Sequence, residues 1–101
     1  MKLVSSGVNG KINLHHVEVL KETPKTFQVR VKRIIEADRV VRKDEIGEVK
    51  SGAFYGSFKC YCEDGDTLDA FAKVQSAIQS YANERIKMAQ EMLENCEGLI
   101  I

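Results

Sequence analysis

The sequence predicts an α+β domain: an antiparallel sheet of about four strands followed by one long C-terminal helix, in the order ββββα. Three observations carry this. Residues 27–31, FQVRV, alternate strictly between apolar and polar, the period of a half-buried strand. From Asp66 onward the apolar residues recur at spacings of three and four, the period of a helix. Residues 66–97 contain no glycine or proline to interrupt that helix.

Taken in order, residues 1–10 (MKLVSSGVNG) hold two glycines, two serines and an asparagine without periodicity, and are expected to be a loose arm. The sheet is expected over residues 11–62. KINLHHVEVL (11–20) reads as the first strand. Ile12 and Leu14 share one face, and Val17 and Val19 fall on the opposite phase, so a bulge is expected near His15–His16. KETPKT (21–26) is a turn, because Pro24 cannot donate to a ladder. Phe27, Val29 and Val31 then point inward, while Gln28, Arg30 and Lys32 face solvent. EADR (36–39) is a polar break, which predicts a second hairpin. RVVRKDEIGEV (39–49) starts extended and loosens at Gly47, and SGAFYG (51–56) is a loop or bulge.

SFKCYC (57–62) is the last strand. Phe58 marks its apolar face, so Cys60 and Cys62 are read as small core hydrophobes, with Lys59 and Tyr61 pointing the other way. EDGD (63–66) is a stop. Asp66 is the expected N-cap of a helix over 66–97, and Gly98 followed by Leu99 is the expected C-terminal stop. The apolar stripe runs through Phe71, Val74, Ile78, Tyr81 or Ala82, Ile86, Ala89, Leu93 and Cys96. Unbroken, such a helix is about 45 Å long. A compact chain of this size is only about 35 Å across. The helix therefore either breaks near Ser80–Asn83 or overhangs the sheet; the favoured expectation is that it overhangs and forms a homodimer interface through Ile86, Ala89, Leu93 and Cys96.

Composition bounds the function. The 101 residues are read as a single domain, 1–101, with the 44% apolar and 30% charged content of an ordinary globular protein. No run of about 18 apolar residues suggests a membrane span. No apolar segment near residue 1 resembles a secretory signal, and three cysteines are an odd number, so a reducing, cytoplasmic setting is expected. Net charge is zero, but residues 1–61 carry twelve Lys and Arg against seven acids, and residues 62–101 carry three against eight.

Little in the chain resembles catalytic chemistry, and no cofactor is expected. Cys60-x-Cys62 with His15–His16 has the wrong spacing for zinc, and adjacent strand histidines point apart, so no metal site is assigned. A dithiol followed by acids, away from a helix N-terminus, is a poor redox pair. Asp44–Glu45 and Glu63–Asp64 sit in turns, as solvated surface. Nucleic acid carries more weight. Lys25, Arg30, Lys32, Arg33, Arg39, Arg42 and Lys43 surround the strands, and an outward Tyr61 could stack a base.

KETPKTFQVR and RVVRKDEIGEV, ahead of one helix, resemble short uncharacterised proteins of phages and prophages, over residues 12–49. The resemblance implies a class that works by stoichiometric binding and includes anti-CRISPR inhibitors. The expected function is therefore a non-enzymatic interaction protein that binds a larger protein or nucleoprotein. The alternative is a nucleic-acid or nucleotide-binding protein. Both would use Arg30, Lys32, Arg39, Arg42 and Lys43, with Tyr61 as aromatic anchor. The expected partners are a protein target, a nucleic acid or other anionic ligand, and a second copy of the chain, with no membrane.

Overall fold

The computed structural model describes residues 1–32, 37–52 and 54–97. Arg33, Glu36, Gly98 and Leu99, read above as part of the basic segment, the polar break and the helix stop, lie outside these. Strands β1 (Lys2–Ser6), β2 (Ile12–Glu22), β3 (Thr26–Val31), β4 (Ala37–Arg42), β5 (Val49–Ser51) and β6 (Phe58–Cys62) precede one helix, α1 (Thr67–Glu97). The chain is thus α+β, and its sheet is antiparallel throughout. It has six strands rather than four, in the order β4-β3-β2-β1-β6-β5.

The two strands the pattern missed are β1 and β5. Residues 1–10 are not a loose arm: β1 lies inside the sheet, between β2 and β6. Its Leu3 and Val4 are buried on opposite faces, so no alternation marks it. β5 has three residues, too few to show a period.

The strand order is that of an up-and-down meander closed between β6 and β1 and open between β4 and β5. A flat sheet of this width would hold its edge strands about 24 Å apart. Only residues 43–48 join β4 to β5, and three of them form a 3-10 turn, Lys43–Glu45. At about 2 Å per residue in that turn, the connection falls short of the span. The sheet must curl. The Gly47 N–H donates to the Tyr61 carbonyl at 2.7 Å, which draws the connection against β6.

Curling creates two apolar clusters. Inside it lie Leu3, Val17, Val29, Val31, Val41 and Tyr61, with Met1, Phe27 and Ile46 against them. Outside, beneath α1, lie Val4, Cys60, Cys62, Ala70 and Val74, with Ile12, Val49, Phe58 and Ile78. The cysteines do sit beside Phe58 as core hydrophobes. The phase change along β2 also has its cause here. Its first half pairs with β1 and turns Ile12 toward the helix. Its second half pairs with β3 and turns Val17 into the curl. The bulge expected at His15–His16 is found between Val19 and Lys21.

α1 is one continuous helix of 31 residues, about 46 Å long. It starts at Thr67, one residue after the expected cap. Only Ala70 and Val74 are buried in it. Tyr81 closes the packed part, with its ring edge-on to Phe58 at 6.2 Å. Every residue over 82–97 is exposed. The radius of gyration, 17.6 Å, exceeds the about 13 Å of a compact chain of this length, and the long dimension is 65 Å.

The loop before β6 reaches this helix at Gly56, whose φ of +79° is in the left-handed region. A Cβ there would lie 2.7 Å from the Tyr81 ring. Gly56→Ala should lower the unfolding free energy by about 1–3 kcal/mol. Gly65→Ala, whose Cβ meets nothing within 4 Å, should change it by less than about 0.5 kcal/mol. Urea unfolding followed by circular dichroism compares the two.

Candidate functional site

The outward basic residues do not form a bare cationic face. On a pleated sheet, residues paired across strands share a side. Arg30 stands opposite both Glu18 on β2 and Asp38 on β4. Its guanidinium holds the Asp38 carboxylate through Nε at 2.8 Å and a second nitrogen at 3.3 Å. Lys32 reaches Glu18 at 3.2 Å, Lys43 reaches Glu22 at 3.3 Å, and Arg42 reaches Asp44 at 2.6 Å. Lys43 also sits 5.0 Å from the centroid of the Phe27 ring. These acids come from the sheet and its turns, not from the acidic helix. The result is a solvated mosaic of ion pairs, each weakened by the water around it. The hydrogen bond from Arg30 holds the Asp38 carboxyl below its usual pKa.

Tyr61 is not an outward anchor. It is only 8% exposed and belongs to the cluster inside the curl, where it pairs with Leu3. The side of the sheet away from the helix, expected to face solvent, is the lining of the curl.

That lining changes character along its axis. The inward phase runs Leu3–Ser5 on β1 and Val17–His15–Asn13 on β2. It runs Val41–Arg39 on β4 and Tyr61–Lys59 on β6. Because neighbouring strands are antiparallel, each of these steps leads toward the same end. One end of the curl is apolar, and the other is lined by Ser5, Asn13, His15, Arg39 and Lys59. These residues border a cleft of about 430 Å³. His15 Nε2 lies 3.1 Å from Ser5 Oγ. Phe54 and Phe58 stand at the rim. Ser57, which is buried, fixes the rim turn: its hydroxyl donates to the Phe54 carbonyl at 2.6 Å and accepts the Phe54 N–H at 3.2 Å.

Arg39 and Lys59 make no ion pair among the described residues, and no carboxylate stands among the described residues lining the cleft. Of the residues proposed from sequence for binding, Arg39 alone reaches it as a cation. Tyr61 reaches it as part of the floor. Lys59, Ser5, Asn13 and His15 were not chosen. Their signal was the shared inward phase, which is visible only once β1 is placed between β2 and β6.

The residues weighed as metal ligands are divided between two faces. His15 lines the curl, whereas Cys60 and Cys62 lie under α1. Neighbouring His16 bonds to the Lys2 ammonium. Burial pushes both buried thiols up in pKa, and Cys96 is exposed. No protein-family model, curated protein or solved structure matches the chain. No helix is long and apolar enough to cross a membrane among the described residues. Geometry alone carries the functional reading.

Two measurements check this geometry. In the native protein Cys60 and Cys62 should resist an aromatic disulfide reagent, and in denaturant all three thiols should titrate. Rapid reaction of Cys60 or Cys62 would contradict their burial. Carboxyl NMR should show Asp38 titrating at lower pH in the native chain than in Arg30→Ala. The lowered folded pKa means that this pair adds stability above the ordinary carboxyl pKa of about 3.9, and that the contribution disappears as pH falls through the folded value.

Proposed function

We propose that this chain is an interaction protein that acts by binding rather than catalysis, and that it works as an antiparallel homodimer joined through the free half of α1. The observation that carries the reading is the exposure of Ile86, Met92 and Leu93, each more than half exposed, on a helix segment whose residues are all exposed and which Tyr55 borders at Glu84, Arg85 and Met88. Contiguous apolar surface of this kind is a docking surface.

The sequence of the seam favours a second copy in one orientation. Ala82, Ile86, Ala89, Leu93 and Cys96 recur at spacings of four and three, the repeat of a two-helix seam. The large residues, Ile86 and Leu93, occupy one of the two heptad positions, and the small ones, Ala82, Ala89 and Cys96, occupy the other. In a parallel pair, like would meet like, and small layers would leave voids. In an antiparallel pair centred near Glu91, Ile86 meets the second copy's Cys96, and Ala89 meets its Leu93. Every layer then sets large against small, which fills space. Gln90 and Met92 meet their own counterparts near the axis, without a like-charge contact.

Such a dimer carries two curled sheets at opposite ends of a two-helix rod and presents each sheet surface twice. Stoichiometric inhibition of a larger protein or nucleoprotein, the class that the resemblance to phage proteins implies, is the use we propose for that bivalence. The ion-pair mosaic around Arg30 and Lys32 weighs against the alternative of nucleic acid held on the outer face.

Sedimentation equilibrium should give twice the chain mass. Ile86→Glu with Leu93→Glu should give one chain mass, with the sheet still folded. Orientation is read by cross-linking. The antiparallel pair keeps the two Cys96 thiols about 15 Å apart, too far for a disulfide. Oxidation should therefore leave the native dimer unlinked, while Gln90→Cys in a Cys96→Ser chain should link it. A strict monomer at high concentration overturns the dimer, and ready Cys96 disulfides overturn its orientation.

A further inference from the structure

We propose that the polar mouth of the curl is a binding site for a small phosphate monoester. Two cations from different strands, Arg39 on β4 and Lys59 on β6, border one cleft of about 430 Å³. Neither is neutralised by an ion pair among the described residues, unlike Arg30, Lys32, Arg42 and Lys43 on the outer face. Cations without carboxylate partners, set around a concavity, attract an anion and hold it where water is partly excluded. Two positive charges match the dianion of a phosphate monoester, whereas a single carboxylate would leave one of them uncompensated.

The uncharged groups suit the same ligand. Arg39 offers a planar fork of donors, and Lys59 offers a mobile ammonium. Asn13 and Ser5 add an amide and a hydroxyl at the same end of the curl. All four sit on strands rather than on loops, which favours a preformed site. The volume exceeds what phosphate alone needs and falls within the usual range for small-molecule sites. The rim supplies apolar surface for the remainder of a ligand: Phe54 is 71% exposed, and the Ser57 hydrogen bonds hold its turn in place. A phosphate deep in the mouth and an organic, preferably planar, body against Phe54 use every one of these features. The site lies on the opposite side of the sheet from α1 and is independent of the dimer.

Amide-resolved NMR titration at low ionic strength, with inorganic phosphate and then phenyl phosphate, tests the site. Saturable shifts should centre on Ser5, Asn13, Arg39 and Lys59, and phenyl phosphate should bind several-fold more tightly than inorganic phosphate. Arg39→Gln and Lys59→Met should each weaken binding about tenfold or more, with thermal unfolding confirming that both variants fold. Arg30→Ala, and Ile86→Glu with Leu93→Glu, should bind as the native chain does. Unchanged affinity in the two mouth variants, shifts centred on Arg42 and Lys43, or no saturable binding overturns the site. Malonate binding as tightly as phenyl phosphate overturns the phosphate assignment.

Discussion

The shortness of the connection between β4 and β5 governs this molecule. Six residues, half of them coiled into a 3-10 turn, join the two edges of a six-stranded sheet. The sheet cannot lie flat, so it acquires an inside. Once there is an inside, residues that would have faced water on an open sheet must pack: Leu3, Val17, Val29, Val31, Val41 and Tyr61 do so. Burying such side chains is worth about 1.5–3 kcal/mol each. The exposed ion pairs of the outer face contribute far less, because water screens them. Packing therefore sets the fold, and the charge pattern decorates it.

The curl also explains why β1 escapes pattern reading and why a cleft exists. β1 is buried on both faces at Leu3 and Val4, then turns polar at Ser5, where the lining of the curl turns polar as well. The serines, asparagine and glycines that make residues 1–10 look like a loose arm belong to the mouth of the cleft and its turn. The local composition that hides the strand is thus the composition of the candidate site.

What could be read from the sequence was what depends on short-range period. FQVRV, the turn at Pro24, the apolar face of Phe58, Cys60 and Cys62, and the unbroken helix all follow from spacing within one element. What could not be read depends on pairing. Lys32 lies fourteen positions from Glu18 in the chain, and Arg30 eight from Asp38, yet register makes each pair adjacent. Lys59 and Tyr61 were rightly placed on one face. The sense of that face was missed, because only the curl decides whether the side away from the helix is surface or interior. Arg39 was grouped with the outer cations, but its register partner is buried Val29, so it turns inward.

The charge asymmetry between the halves of the chain leads to the same place as the apolar seam. The sheet residues pair largely among themselves, and Lys73 of α1 takes Asp69 and the Gly47 carbonyl. Glu91, Glu94 and Glu97 are left on the free half of the rod, together with its apolar seam. A helix of about 12–15 residues is marginal in water when it stands alone, and residues 82–97 gain from their sheet only the nucleation provided by the anchored turns before them. The antiparallel neighbour we propose would supply the missing packing. It would also run the two helix dipoles in opposite directions and bring each acidic tail toward the basic half of its partner. Screening makes these long-range terms small at physiological salt. They would bias orientation, while the alternation of large and small residues along the proposed seam would supply the energy.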